Sequence, residues 1–461
     1  MTIRQSLALC SLLASFPFGS SSCGAVTLDE AMAMAFGSAP SVGAAMARVR
    51  GADEGVSQAT SGWRPTVTLS GTVGRGNYSN NAYPDKYETA RTPRTMGLSI
   101  SQPLYSGGRT VAATAKAERE ADAERARLDG SEQSVLLAAA EAYLSVSGET
   151  ETLRLSEANE RILGLQLEAV ELRWKVGEIS RTDVSQAQAR LARAKADRIA
   201  ALGALNAARA NYQAVVGSAP DGVVMPASEP ATPATRADAA LLASSANPAV
   251  RAAERSAEAA RDGVDATFGE LLPTVALTLS ATRALQTTEM NSATISREAS
   301  ISVSVPLYEG GATHSRVRAA KHLAGQRRLE VDQARRDAVE SAEKAWESLT
   351  AARAMVSAIE VQEESAALAK GSVEEEAKLG SRTLLDVLNA EQELFDARVS
   401  MVRARKEVLS AAYRLRSSVG ALSGEALGLT LRPDDARRSS EAIRGRWFGT
   451  DVGRFPGYGD D

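Results

Sequence analysis

Residues 99–110, SISQPLYSGGRT, and 301–313, ISVSVPLYEGGAT, write the same sentence twice: an alternating strand, then Pro-Leu-Tyr-x-Gly-Gly, then a long run without proline. Upstream of the first copy, Met96, Leu98 and Ile100 alternate with Thr95, Gly97, Ser99 and Ser101, and upstream of that Val67, Leu69 and Val73 alternate with Thr66, Thr68, Ser70 and Thr72. The second copy repeats the pattern with Val275, Leu277 and Leu279, then Ile301, Val303 and Val305 set between serines. Period-two alternation predicts four strands, each apolar on one face and hydroxyl-bearing on the other. Either a sandwich edge over a small core or a membrane barrel fits such strands, and their length of about ten residues suits the barrel. Proline cannot donate to a ladder and is expected to end the strand, while the paired glycines allow a sharp step into a helix.

Downstream, no proline occurs between Pro103 and Pro220 or between Pro306 and Pro433. The expectation is a helix over 109–175 and a second over 312–378, each about 100 Å long at 1.5 Å per residue. Shorter helical runs, Leu28–Gly62 before the strands and Asp183–Gly217 after the turn, are expected at about 52 Å each and to stack end to end beside the long rod. A 3-4 spacing sets the expected seams. From the first long helix into its turn the stripe is Leu155, Ala158, Ile162, Leu165, Ala169, Leu172, Val176 and Ile179; on its return, Val184, Ala187, Leu191 and Ala194. On the second return it is Val387, Ala390, Leu394, Ala397, Met401, Ala404, Val408, Ala411 and Leu415. The matching stripe of the second ascending helix, Ala358, Val361, Ser365, Leu368, Ser372, Glu375, Leu379 and Arg382, is partly polar, so the second hairpin is expected to be the looser one.

The two copies belong to a chain-long duplication. TLDEAMAMAFGSAPSV (27–42) aligns with TRADAALLASSANPAV (235–250), Pro65 with Pro273, Pro103 with Pro306, Gly177 with Gly380, Asp183 with Asp386 and Gly217 with Gly420. The boundaries read as a first repeat over 25–217 with strands 66–76 and 94–103 and helices 109–175 and 183–217. A linker over 218–236 leads to a second repeat over 237–424, with strands 274–284 and 297–306 and helices 312–378 and 386–420, and a tail over 425–461. The first residues, 1–24, carry one arginine, an apolar stretch from Leu7 to Phe18 and then small residues, as an export signal does. Cys10 and Cys23 lie at or before the expected cut, so no disulfide is expected in the mature chain, and Cys23 is a weaker candidate for lipidation.

Composition excludes several classes. A net charge of −4 with both signs interspersed argues against nucleic acid as a partner. His314 and His322 stand alone without a ligand-spaced cluster, and no phosphate-cradling glycine loop opens a βαβ unit, so neither enzyme chemistry nor a cofactor is expected. No segment reaches the ~18 apolar residues of a membrane helix. An exported chain with membrane-length strands and no such helix points to a barrel, because closure satisfies every backbone group in lipid. Four strands are too few to close, so the barrel must be shared between chains. A periplasmic coiled-coil adaptor would share the long hairpins but would not need the strands.

From about Val26 to Gly424 the sequence resembles the TolC family of outer-membrane channel proteins, in its duplicated units, its two PLYxGG junctions and the turns VGEISRTDV and LGSRTLLDVLNAEQ. The resemblance implies a mostly helical fold with a membrane β-barrel portion: a homotrimer with a shared twelve-strand barrel in outer-membrane lipid and a helical tunnel in the periplasm. It also implies a periplasmic adaptor (membrane fusion) protein and an inner-membrane ABC or other transporter as partners. Carried over by position, Arg382 and Asp386 stand where the family has its gate arginine and first constricting aspartate, and Thr182 and Asp183 where that arginine finds its partners. Two positions depart from the family: Asn389 replaces a second aspartate, and Ala377 replaces a latch tyrosine. Pro103, Gly107 and Gly108, with Pro306, Gly310 and Gly311, mark the barrel–helix junctions. The tail segment RGRWFGT resembles the ends of members that serve type I protein secretion, which makes secretion the expected task and multidrug efflux the alternative.

Overall fold

The computed structural model describes residues 26–79, 88–425, 427–428 and 447–450. The expected export signal, the tip of the first hairpin and most of the tail lie outside the described residues. Strands β1 (Thr66–Val73), β4 (Arg94–Ser106), β5 (Thr274–Leu285) and β6 (Ala293–Ser304) form one antiparallel sheet in the order β1-β4-β5-β6, and β2 (Gly76–Ser79) pairs with β3 (Glu88–Arg91) beyond it. The register places Val67 beside Ile100 and Ile100 beside Leu279 on one face, and Thr68, Ser99 and Ser280 in line on the other. Both faces of β1 are exposed, so the sheet rests on no core. Pro103 does not end its strand as expected. β4 absorbs it in a register shift between Pro103 and Tyr105 and pairs on to Ser106, whereas β6 stops at Ser304, before Pro306. A proline is tolerated where an irregularity relieves the ladder of a donor.

The long rods are α3 (Arg109–Lys175) and α7 (Ala312–Lys378), 67 residues each. Their returns are α4 (Arg181–Val216) and α8 (Leu384–Ser418). The run expected as one helix from Leu28 to Gly62 is broken into α1 (Leu28–Ser38) and α2 (Pro40–Thr60), and its repeat into α5 (Arg236–Ala246) and α6 (Pro248–Phe268). Pro40 and Pro248 each open the second piece, since proline forces the residue before it out of the helical region and fits at the first helical position. The break makes a joint. Ser38 Oγ donates to Val216 O at 3.0 Å, and Asn247 Nδ2 donates to Ser418 O at 2.9 Å, so the returning rod of each half ends against the break in that half. Gly420 (φ +79°) fits there because a Cβ would stand 2.5 Å from Ala246 O.

Above the joint α3 lies between α2 and α6, and below it between α4 and α8, which gives a wall of side-by-side helices. The wall's seam on α3 is not the expected stripe. The buried row is Thr152, Ser156, Asn159, Leu163 and Val170, while Leu165, Leu172 and Val176 are exposed. A one-residue shift turns a helix face by about 100°. Hydropathy misleads here because Ser156 Oγ donates to Thr152 O at 2.8 Å and Thr152 Oγ1 to Gly148 O at 2.9 Å, so both hydroxyls are satisfied within the helix and pack as small residues. The same shift occurs on α7, where Val361, Leu368 and Leu379 are exposed and Leu349, Ala352 and Ala366 are buried. The stripe expected on α8 is buried from Leu394 to Leu415.

Candidate functional site

The chemistry-bearing residues gather at the hairpin tips, farthest from the sheet. At the first tip α3 closes on Gly177 (φ +81°), and at the second α7 closes on Gly380 (φ +78°), each supplying the left-handed step that ends a helix. Ser180 then caps α4 in a box with Asp183, and Thr383 caps α8 in a box with Asp386. Asp386 Oδ2 accepts from Thr383 N at 3.0 Å and Thr383 Oγ1 at 2.8 Å; Asp183 Oδ2 accepts likewise from Ser180 N at 3.0 Å and Oγ at 2.8 Å. The Thr383 bonds, aided by nearby Arg382, hold the Asp386 carboxyl below the usual aspartate range. Every one of these capping bonds lands on Oδ2, and among the described residues no hydrogen bond lands on Oδ1 of either residue.

Arg382 does not reach Asp183 within the protomer. Its Nε donates to Glu376 Oε2 at 2.7 Å, a bond that raises the guanidinium pKa. The first tip holds the reversed arrangement, Arg173 Nε to Glu178 Oε2 at 3.0 Å, because the repeat position of Glu376 is Arg173. Thr182 is exposed on the first turn of α4. Asn389 faces the other hairpin: its Oδ1 accepts from Arg190 Nη2 at 2.6 Å. Beside this bond, Leu388 is buried with Leu163 and Ala194, and Leu384 packs against both that group and the group of Val170, Val184 and Ala187. Deeper along the second hairpin, Lys370 Nζ lies 2.6 Å from Oε2 of buried Glu391. A buried ion pair often stabilises no more than apolar packing of equal volume.

Sequence reading thus placed Thr182, Asp183, Arg382, Asp386 and Asn389 at the tips but missed Arg190, Leu384, Leu388 and Glu376. Arg190 lies two turns beyond Asp183 on the same helix, a signal that becomes readable only once Asn389 is known to face α4.

The junction motifs occupy the other end. Gly107 (φ +66°) and Gly108 (φ +75°) lead into α3, and Gly310 (φ +63°) and Gly311 (φ +84°) into α7. A Cβ on Gly107 would collide with Gly269 O, where the second half crosses the first, while Gly310 has open space within the protomer.

Comparison with known proteins agrees with this architecture. The outer membrane efflux protein family matches residues 32–218 and 241–421, one segment in each half. The outer membrane efflux protein BepC of Brucella suis biovar 1 is 34% identical over 435 residues, covering 92% of this chain and 91% of that protein. The alkaline protease secretion protein AprF of Pseudomonas aeruginosa is 26% identical over 359 residues, covering 76% and 73%. The solved structure of CusC, described for its transmembrane channel formation, superposes with a TM-score of 0.76 at 16% identity, covering 85% of this chain and 92% of that one. A duplicated helix–sheet chain with this family match belongs to the outer membrane efflux protein family, the TolC-like channels of the outer membrane, and is a transport protein rather than an enzyme.

Proposed function

We propose that three copies of this chain close into one pipe that passes cargo outward across the outer membrane, with energy and cargo choice supplied by a periplasmic adaptor and an inner-membrane transporter. The observation that carries the reading is the open sheet: β1 and β6 are unpaired edges, and an unpaired edge cannot stand in lipid. Strand β5, 12 residues long, measures about 40 Å, or about 30 Å in height at a barrel tilt of about 40°, which matches a bilayer core.

The repeat supplies the missing contact. Within the chain β4 meets β5 with Ser101 opposite Thr278. Moving each residue to its repeat position sets Ser304 opposite Ser70 of the partner subunit. The test is a Ser70→Cys, Ser304→Cys double variant treated with a short thiol cross-linker in membranes. Covalent trimers are expected; monomers only, with both thiols reactive, would remove the shared sheet.

At the tips, the family pattern implies that Arg382 latches onto Asp183 and Thr182 of the partner subunit and that three Asp386 carboxylates ring one mouth, and we read the tips in that way. An arginine fork bridging a carboxylate and a hydroxyl is suited to hold neighbouring hairpins together. For cargo, we favour small-molecule efflux, on the strength of the likeness to BepC over nearly the whole chain. Type I polypeptide secretion is the second reading, carried by the RGRWFGT tail and the likeness to AprF. Deleting the protein separates them: loss of drug resistance supports the first, and loss of a secreted polypeptide with resistance intact supports the second.

A further inference from the structure

The tail offers an interaction surface that the channel reading does not use. Helix α8 ends at Ser418 beside Asn247, the cap residue just before α6, whereas Trp447 lies against Arg64, just beyond the far end of α2. Since α2 and α6 are each 21 residues long, the chain has risen about 32 Å from the joint to the foot of the sheet between those points. There the guanidinium of Arg64, two residues before β1, stands 4.9 Å from the Trp447 ring centroid, within cation–π range. Trp447 nevertheless stays 59% exposed and Phe448 92% exposed.

We propose that Trp447 and Phe448 enter the interfacial layer of the outer membrane's inner leaflet, as an anchor separate from the barrel. The proposal rests on the outer-membrane placement of the sheet. Two adjacent large apolar side chains left open to solvent are uncommon on a surface that meets only water. Aromatic rings are favoured where a bilayer meets water, and barrels carry girdles of them at that level. At the foot of the sheet Trp63, Tyr105 and Tyr308 are likewise exposed, Trp63 just before β1 and Tyr308 just after β6, strands whose Val67, Leu69, Ile301 and Val303 are exposed. Arg64 adds a cation at the height of lipid phosphates, with its ring contact holding Trp447 at the same level. Lipid is the occupant we commit to, because the exposed pair is held by Arg64 at the foot of the sheet that the proposed function sets in the membrane.

Four tryptophans occur in the chain, so Trp63→Phe, Trp174→Phe and Trp346→Phe leave Trp447 alone. This full-length variant is reconstituted into phosphatidylethanolamine–phosphatidylglycerol vesicles whose acyl chains carry bromine either near the headgroup or near the chain end. Loss of emission is expected, larger with bromine near the headgroup. Emission equal to that in unbrominated lipid overturns the proposal, whether acrylamide quenches the ring, which places it in water, or does not, which places it against a second copy. Should the triple variant misfold, comparing wild type with Trp447→Phe alone gives the same readout: wild type should lose more emission in brominated lipid, and equal losses overturn the anchor. Conductance across the same vesicles separates the two readings, since a conducting channel without bromolipid quenching removes only the anchor.

Discussion

At the residue scale the tips are governed by a few polar atoms whose partners differ from those that spacing suggests. Each aspartate spends one oxygen on its own helix cap, and the Arg190–Asn389 bond ties the two hairpins of a single copy. Arg190→Ala is expected to raise single-channel conductance in planar bilayers by loosening the second hairpin; wild-type conductance in that variant would mean that the Leu384 and Leu388 packing holds the tips alone. Asp386→Asn should weaken block by divalent cations, because three fixed carboxylates at a narrow mouth concentrate cations. The aspartate is held ionised by its Thr383 bonds and Arg382, so this block should persist to a lower pH than an ordinary carboxylate would allow and fade as pH drops through the depressed folded value. Unchanged block would remove Asp386 from the mouth.

At the element scale the two PLYxGG junctions look alike in sequence and differ in surroundings. Gly107→Ala meets both a positive φ and Gly269 O, and should cost more than about 2 kcal/mol of protomer stability; within the protomer Gly310→Ala meets only the positive φ, worth about 1–2 kcal/mol. In the proposed trimer the repeat turns Gly310 toward the neighbouring copy, so its larger effect should appear as fewer trimers on a semi-native gel, with thermal unfolding changed less than in Gly107→Ala. Along α3, burial, with Asp129 nearby, pushes the Glu132 carboxyl up to about 7. A raised folded value means that the folded state keeps the proton longer, so this group's contribution is fully present below the unfolded value near 4.5 and is lost as pH rises toward about 7. Glu132→Gln should therefore raise unfolding stability at pH 8 by on the order of 2 kcal/mol at most after solvent screening, seen as a higher thermal midpoint, and leave the midpoint nearly unchanged at pH 4. Equal shifts at both pH values would assign the effect to packing instead.

At the scale of the whole molecule, the duplicated plan was legible because backbone rules wrote it: absence of proline fixed both 67-residue rods, and alternation fixed the sheet strands. What spacing alone missed came from local chemistry and from neighbours. Pro40 and Pro248 stood in view but read as helix interior until the joint showed what they serve. Thr152 and Ser156 read as polar, yet their hydroxyls are closed off inside α3, which turned the seam by one residue. Arg382, which the family pattern pairs with Asp183, instead bonds Glu376 within one copy, a partner that lies six residues back and that spacing did not point to.

The two bare sheet edges have a consequence for how the protein is made. A solitary copy has no stable residence: hydrocarbon would leave two rows of amides unanswered, and water would wet a row of valines and leucines. If three chains close the sheet as proposed, biogenesis couples insertion to their meeting, and the yield of mature channels should fall more steeply than in proportion as expression is reduced.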